Sequence, residues 1–231
     1  MTDPRAGQKR AAAEAAVALV ADGMAVGLGT GSTAAFAIDA LAARVRAGLS
    51  IMAIATSEHS AAQARANGIR VVGFAECRRL DLTIDGADEI ARGTLALIKG
   101  HGGALLREKI VAAASDRLVI IADASKLVDR LGGATPVPIE VVPFGWETTA
   151  ARIEREGGQP RLRVGNDGTP VRTDGGNLIL DCGFATIGDP AALDRTLSQL
   201  IGVIETGLFN GMASCALVAD EQGVQRLEPR S

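Results

Sequence analysis

The sequence predicts an α/β protein, in which a domain with a parallel sheet is joined to a second, smaller α+β domain. Over the first 128 residues, short apolar runs alternate with helical stretches, which is typical of parallel strands joined by right-handed crossovers. The pattern changes near Gly132, where Thr135-Pro136-Val137-Pro138 interrupts it. A length of 231 residues with 47% hydrophobic residues is ample for a packed core.

The elements of the first part follow from their composition and their flanking residues. Residues 5–21 are alanine-rich and end before Gly23, which predicts a helix. Thr56-Ser57-Glu58 is a cap with an early acid and Asn67-Gly68 is a helix stop, so a helix is expected between them. The remaining runs predict strands at 24–28, 51–55, 69–74, 80–84, 95–98 and 117–122, and helices at 32–46 and 104–114.

The second part mixes strands and helices without regular alternation. Its predicted elements are strands at 139–142, 161–164 and 178–182, helices at 146–156 and 190–200, and a turn through Asn166-Asp167-Gly168. Closing strands are expected at 203–208, 213–219 and 224–227. We expect at least some of these to return to the first sheet.

Composition and charge argue against several classes of protein. A net charge of −3 gives no basic field for nucleic acid, and one Trp, five Phe and no Tyr offer few surfaces for base stacking. The N-terminus lacks the pattern of a signal peptide, and no apolar run is long enough to span a bilayer. We therefore expect a cytoplasmic protein without a nucleic-acid or membrane partner.

Neither a disulfide framework nor a metal cofactor is expected. Cys77, Cys182 and Cys215 are far apart and odd in number, which suits reduced thiols. With two histidines and no zinc-like spacing, a transition-metal site has little support. Asp85 and Asp88 are suitable ligands for magnesium, but a nearby lysine competes for the same charge, so we predict no metal and no cofactor.

A glycine-rich turn follows the first predicted strand. Gly29-Thr30-Gly31-Ser32-Thr33 leads directly into a helix, whose positive end and free N–H groups favour an anion such as a phosphate. The order of residues matches neither the Walker lysine loop nor the usual dinucleotide fingerprint. A tight strand-to-helix turn with Ser/Thr capping is the alternative interpretation.

The densest set of charged residues lies between positions 82 and 109. One predicted strand ends in Asp85-Gly86-Ala87-Asp88, and another ends in Lys99 followed by Gly100-His101-Gly102-Gly103. Glu108 lies in the first turns of the next helix. Each residue alone is ordinary for a turn, a strand end or a helix start. Three carboxylates and one ammonium beside two glycine-rich breaks nevertheless favour an active site, since open α/β sheets carry their chemistry at strand ends.

Together these motifs resemble the ribose-5-phosphate isomerases of the A type over nearly the whole chain. The resemblance is carried by GLGTGSTA (27–34), IDGADEI (84–90), IKGHGGALLREKI (98–110), ADASK (122–126) and GLF (207–209). It implies interconversion of D-ribose 5-phosphate and D-ribulose 5-phosphate through an enediolate, without a metal. It also implies a homodimer or homotetramer. Each chain would have a Rossmann-like domain, for which we predict residues 1–131 and 207–231, and a small α+β domain, for which we predict residues 132–206.

The resemblance implies roles for individual residues as well. Glu108 matches the family's proton-transferring base, and Asp85, Asp88 and Lys99 match its polar catalytic cluster. The residues matched to substrate-binding positions are Thr30, Gly31, Ser32, Thr33, Gly86, Ala87, Gly100, His101, Gly102 and Lys126. Lys9 is interpreted as a solvated helix charge, although the family often has a basic residue there near the phosphate. His101 stands where the family usually has glycine, so we predict that it is not catalytic.

The residue types suit this chemistry independently of the resemblance. Aldose–ketose isomerisation needs one base that carries a proton between C2 and C1, and a single carboxylate serves both carbons. We expect Lys99 and the N–H groups of the glycine run to stabilise the developing oxyanion, and Asp85 or Asp88 to orient Lys99 and relay hydroxyl protons. The alternatives are a CoA-transferase-like enzyme or a deaminase-isomerase on a related sheet, and a sugar-phosphate sensor, for which the sequence offers no DNA-binding segment.

Overall fold

The fold is a mixed α/β structure, which confirms the predicted class. The computed structural model describes residues 3–230; residues 1, 2 and 231, at the ends of the predicted domain ranges, lie outside it. Its helices are α1 (Ala6–Val17), α2 (Ser32–Arg46), α3 (Glu58–Ala66), α4 (Leu105–Ala113), α5 (Trp146–Arg155) and α6 (Pro190–Ser198). Its strands are β1 (Ala25–Leu28), β2 (Met52–Ala55), β3 (Leu82–Gly86), β4 (Glu89–Ala91), β5 (Leu97–Ile98), β6 (Leu118–Asp123), β7 (Leu127–Val128), β8 (Val137–Val141), β9 (Gln159–Leu162), β10 (Leu178–Gly183), β11 (Val203–Thr206), β12 (Leu208–Phe209), β13 (Ala213–Ala219) and β14 (Val224–Leu227).

The largest sheet has six strands in the order β14-β13-β6-β3-β1-β2. All of its pairs are parallel except β13 with β14, which closes one edge. The closing segment of the chain therefore returns to the first sheet, as expected. Helices α1 and α2 pack on one face to form the main core, and Val111 of α4 packs on the other face. Burial on both faces explains why these strands appear in the sequence as continuous apolar runs.

Two four-stranded sheets, in the orders β11-β8-β10-β9 and β12-β5-β4-β7, complete the fold. The prediction of one strand at 203–208 is wrong, because the chain crosses between these two sheets at Gly207. Its N–H donates to Pro138 O on β8, and its carbonyl accepts from Lys99 N just after β5. The run at 95–98 does not extend the parallel sheet either, since β5 pairs antiparallel with β4, a strand that the sequence analysis did not predict.

The predicted strand at 69–74 is a single bridge. Val71 bridges Ala53 of β2, with hydrogen bonds from Ala53 N to Arg70 O and from Val72 N to Ala53 O. The segment lies outside β2, at the edge of the sheet, and a turn that begins at Phe74 ends the pairing after one bridge.

Two further sequence expectations concern membranes and thiols. Within residues 3–230, no helix is both long enough and apolar enough to cross a membrane. Cys182 and Cys215 are buried free thiols and Cys77 is half-buried. Burial raises the pKa of the Cys182 and Cys215 thiols, which makes them poor nucleophiles.

Candidate active site

A cavity of about 110 Å³ lies where β1, β3, β5 and β6 end. Most of the residues predicted for the site line it, together with Lys9: Thr30, Gly31, Ser32, Thr33, Gly86, Ala87, Asp88, Lys99, Gly100, Gly102, Glu108 and Lys126. Asp85 and His101 do not line the cavity. Asp85 nevertheless contacts Lys99, which does. The sheet order explains why these residues lie close together. β3 lies between β1 and β6, and the turns that follow parallel strands lie at the same edge of the sheet.

Asp85 is a buried carboxylate near the end of β3. Its Oδ1 accepts hydrogen bonds from Thr30 N at 3.1 Å and from Gly86 N at 2.7 Å, so it joins the turns that follow β1 and β3. Glycine is required at position 29, because a Cβ there would overlap the Asp85 carboxylate. The glycine turn therefore positions an acid of the site as well as offering N–H groups to a ligand.

Lys99 is the centre of the buried charges, with a side chain that is only 2% exposed. Its Nζ donates to Gly86 O at 2.7 Å and forms ion pairs with Asp85 Oδ2 at 3.0 Å and Glu108 Oε1 at 3.2 Å. An ammonium has three N–H bonds, and these three oxygens surround it. A substrate oxygen would therefore have to displace one of these oxygens in order to bind Lys99 Nζ.

Burial and mutual attraction shift the pKa values of these three groups. Burial raises the pKa of Glu108 to about 8; Lys99 opposes this shift and the charge of Asp85 adds to it. Burial also raises the pKa of Asp85, again against the attraction of Lys99. For Lys99, burial alone would lower the pKa, but the two carboxylates outweigh it and raise the pKa. Burial therefore favours the neutral form of both acids, and the Lys99 ammonium opposes it.

Glu108 lies in the first turn of α4, as predicted, and lines the cavity. Its Oε2 is buried and, like Asp85 Oδ2, has no hydrogen-bond partner among residues 3–230; unlike Asp85, Glu108 faces the cavity. A buried carboxylate oxygen with a pKa near neutrality is suited to accept and return a proton. Of the three predicted acids, Glu108 best fits the role of base.

Phe209 is a site residue that the sequence reasoning missed. The buried ring of Phe209 has its centroid 5.4 Å from Lys99 Nζ and 5.0 Å from Lys109 Nζ, so both ammonium groups lie near its electron-rich face. Its only signal in the sequence was its place in the GLF motif. The ring therefore supports the charged form of Lys99.

The other end of the cavity is suited to an anion. Helix α2 begins at Ser32, directly after Gly31, so its free N–H groups are at the cavity. Lys9 Nζ donates to Ser32 Oγ at 2.9 Å and lies 2.7 Å from Asp3 Oδ2, so Lys9 is part of the site as well as a helix charge. Lys126 adds a second ammonium from the 3₁₀ helix Ala124–Lys126 after β6.

Asp88 and His101 are neighbours at the edge of the site. Asp88 Oδ2 accepts a hydrogen bond from His101 N at 3.0 Å. The imidazole is 38% exposed, with Nδ1 3.6 Å from Asp88 Oδ1 and Nε2 3.2 Å from Pro136 O. Among residues 3–230 only Leu95 combines a side chain with a positive φ, so His101 carries none of the strain that replacing a glycine would cause there.

No group of three or more His, Cys, Asp or Glu residues in the described part of the chain is arranged to hold a metal ion. The polar groups of the cavity are instead ammonium groups, carboxylates and backbone N–H groups. They suit a small phosphorylated molecule on which a proton is moved.

Comparison with known proteins gives consistent matches over nearly the whole chain. A profile for the family described as ribose 5-phosphate isomerase A (phosphoriboisomerase A) matches residues 52–223. Ribose-5-phosphate isomerase A of Gloeobacter violaceus is 59% identical over 221 residues, which cover 96% of each chain. The protein of the same name from a Synechococcus species is 54% identical over 220 residues, or 95% of this chain and 96% of the relative.

Solved structures agree with the sequence matches. Ribose 5-phosphate isomerase A from Methanocaldococcus jannaschii superposes with a TM-score of 0.93 at 38% identity, covering 97% of this chain and 99% of the other. A D-ribose-5-phosphate isomerase in complex with phospho-erythronic acid gives a TM-score of 0.93 at 36% identity, covering 96% and 98%.

Proposed function

The chain belongs to the ribose 5-phosphate isomerase A family and is an isomerase of D-ribose 5-phosphate and D-ribulose 5-phosphate, and from this premise we propose how its residues carry out the reaction. The observation that carries the proposal is the placement of Lys99 Nζ between Asp85 and Glu108 at the wall of the cavity. The alternatives, a CoA-transferase-like enzyme and a sugar-phosphate sensor, are not favoured, since the relatives at 50–59% identity share the isomerase name.

Glu108 is the base that moves the proton between carbon atoms. It takes the proton from C2 of the open-chain aldose, which leaves an enediolate with its negative charge on O1. It then returns this proton to C1 while the hydroxyl proton of O2 passes to O1, which gives the ketose. A pKa near 8 supports both halves of this role, because the same group must accept and release a proton at neutral pH.

Lys99 and the glycine run stabilise the negative charge that develops on O1 and O2. The ammonium is fixed by Asp85, Gly86 O and Phe209, so little reorganisation is needed when charge develops nearby. Because three oxygens already surround Lys99 Nζ, we expect the substrate oxygen to replace the Glu108 contact when Glu108 is protonated.

Asp88 relays hydroxyl protons, including the proton transfer of ring opening. Of the two aspartates, Asp88 lines the cavity and Asp85 does not. Asp85 serves instead as the fixed partner of Lys99.

The phosphate binds at the start of α2, between Lys9 and Lys126. Ser32, Thr33 and the N–H of Gly31 supply donors, and the two lysines supply charge. The Thr30 hydroxyl is already within 2.7 Å of Thr56 Oγ1 and 2.8 Å of Ser57 Oγ, so Thr30 shapes the turn more than it binds the ligand.

The remaining proposals concern the whole protein. We propose residues 1–131 with 207–231 as the Rossmann-like domain and 132–206 as the small domain, a cytoplasmic location, and a homodimer or homotetramer. Sedimentation equilibrium would give the mass directly, and a monomer of 23.7 kDa at micromolar concentration would contradict the last of these.

The test of the proposed function is an assay of ribulose 5-phosphate formation from ribose 5-phosphate in the presence of a chelator. We expect full activity, since the proposed mechanism uses only side chains and backbone groups. Activity that disappears with the chelator and returns with a divalent metal ion would contradict the proposed mechanism. Labelling of Glu108 by hydroxylamine after incubation with an acyl-CoA would instead support the CoA-transferase alternative.

A further inference from the structure

Arg163 lies outside the cavity, yet its side chain reaches the loop beside Lys99. It follows directly after β9 in the four-stranded sheet β11-β8-β10-β9, which we call the second sheet, and its side chain is 15% exposed. Its Nε donates to Asp181 Oδ2 at 2.8 Å, and its Nη2 pairs with Asp181 Oδ1 on the neighbouring strand β10. Its Nη1 donates to Gly100 O at 3.0 Å and to His101 O at 3.1 Å.

The contact with Gly100 O connects Arg163 to Asp88. Gly100 O and His101 N belong to the same peptide group, and His101 N donates to Asp88 Oδ2 at 3.0 Å. A guanidinium therefore holds the carbonyl end of this peptide while a carboxylate of the site accepts from its N–H end. Hydrogen bonds arranged in this way polarise and strengthen one another. They also fix the plane of the peptide, and with it the position of the Asp88 carboxylate.

We propose that Arg163, held by Asp181, is a positioning residue for the isomerisation, which orients Asp88 through the Gly100–His101 peptide. The inference rests on the proposed role of Asp88 in relaying hydroxyl protons. The second sheet thus contributes to the chemistry although Arg163 itself does not contact the cavity.

The geometry requires arginine in particular. Asp181 takes two N–H groups of the planar guanidinium, and the remaining terminal nitrogen still provides donors for the two carbonyls. A lysine ammonium at the end of a flexible chain has three donors without a fixed plane, so it would align less well with the carboxylate and the carbonyls together. Gly103 N also donates to Gly100 O, at 2.9 Å, which closes the loop but does not tie it to the second sheet.

The first test compares Arg163→Ala with Arg163→Lys. We expect Arg163→Ala to lower kcat roughly 10- to 100-fold with KM within a few-fold, because a misplaced catalytic group costs rate more than binding. Arg163→Lys should recover part of the loss.

The control is Arg161→Ala, which removes the same charge from an exposed position two residues earlier on β9. A folded Arg163→Ala variant with wild-type kcat, whatever its Tm, would overturn the proposal. If Arg163→Ala does not fold, Arg163→Lys is the test variant. Wild-type kcat in Arg163→Lys would then overturn the proposal.

The second test is a double-mutant cycle with Asp88→Asn. If Arg163 acts through Asp88, the double variant should be little worse than Asp88→Asn alone, whereas strictly additive losses would overturn the proposal. If Asp88→Asn lowers kcat and its loss adds to that of Arg163→Ala in the double variant, only the link between Arg163 and Asp88 is contradicted. An Asp88→Asn variant with full kcat contradicts the proposed role of Asp88 as well, so the two failures are distinguishable.

Discussion

At the scale of single residues, the surroundings of Lys99 determine what the neighbouring acids can do. Asp85 Oδ2 and Glu108 Oε2 are both buried without a hydrogen-bond partner in the part of the chain that the structure describes, but Asp85 Oδ1 accepts from Thr30 N and Gly86 N. Two backbone N–H groups therefore fix the position of Asp85. Glu108 lines the cavity, whereas Asp85 does not.

This difference leads to a prediction for the base. We expect Glu108→Gln, which keeps size and removes the proton acceptor, to lower kcat roughly 10²- to 10⁴-fold with KM within a few-fold. Steady-state kinetics on ribose 5-phosphate is the measurement. Glu147→Gln is the matched control, because Glu147 is exposed in the first turn of α5. A Glu108→Gln variant that keeps more than about a tenth of wild-type kcat would place the base elsewhere.

The raised pKa of Glu108 predicts a pH dependence with a definite sign. As a base, Glu108 must be ionised in the free enzyme, so kcat/KM should rise as the pH approaches about 8. Stability should change in the opposite direction: with a folded-state pKa above the usual 4.5, the contribution is present below about pH 4.5 and is lost as the pH rises toward 8.

The measurements are a pH–rate profile and denaturant unfolding over the same range. Glu108→Gln should flatten the pH dependence of the free energy of unfolding, because the titrating group is gone. A profile of kcat/KM that is already level from about pH 6 upward would mean that Glu108 ionises with an ordinary pKa.

At the scale of elements, the turn between β1 and α2 combines two requirements for glycine. Gly29 leaves room for the Asp85 carboxylate, while Gly31 has a φ of 110° and open space around it, with no atom within 4 Å of the point that a Cβ would occupy. A side chain at position 31 would therefore be strained by the backbone rather than by a clash.

We predict that Gly31→Val raises the KM for ribose 5-phosphate, because relief of the strained φ would turn the first N–H groups of α2 away from the phosphate. Gly48 provides a matched control, since it has a φ of 108°, equally open surroundings and a place after the other end of α2. Gly48→Val should lose similar stability with an unchanged KM. Equal KM values for the two variants would show that the Gly31 turn is only structural.

Elements with a strong local signal were predictable from the sequence. Helix α2 occupies the predicted residues, since a glycine turn marks its start and its apolar face is continuous. The segments at 69–74 and 203–208 were mispredicted because their apolar character does not reveal the number of partner strands or a change of sheet. β4 was missed because three residues give too short a pattern to recognise.

The same limit applies to the site. Asp85, Lys99 and Glu108 lie near one another in sequence, next to glycine-rich breaks, so local patterns brought them together. Arg163 and Phe209 reach the site from distant parts of the chain, through strand pairing that no local pattern encodes.

At the scale of the whole molecule, the second sheet is tied to the first by charged contacts around Asp174. Its Oδ2 accepts from Glu58 N at 2.8 Å, at the first residue of α3, and from Arg107 Nη1 of α4 at 3.2 Å. Arg107 also pairs with Glu58 Oε1 at 2.8 Å. Residues 171–174 form one wall of a second cavity whose other wall includes Thr30, Gly31 and Ser32. These contacts therefore hold a loop of the second sheet beside the proposed phosphate turn.

We predict that Asp174→Ala weakens the fold modestly and leaves kcat within about twofold, because no catalytic group contacts Asp174. The pair with Arg107 is partly exposed and contributes at most about 1 kcal/mol, and the bond to the N-terminus of α3 contributes about 0.5–2 kcal/mol. A total of about 0.5–3 kcal/mol corresponds to a Tm lower by roughly 1–12 °C for a chain of this size. Calorimetry at low and high salt measures the part of this loss that depends on charge, since salt screens both the ion pair and the contact of the carboxylate with the helix N-terminus. Glu154→Ala, on the exposed face of α5, is the control for loss of a surface charge. An Asp174→Ala variant with unchanged Tm would show that the contacts of Asp174 add nothing measurable to the stability. A fall in kcat beyond tenfold would show that the loop takes part in the reaction.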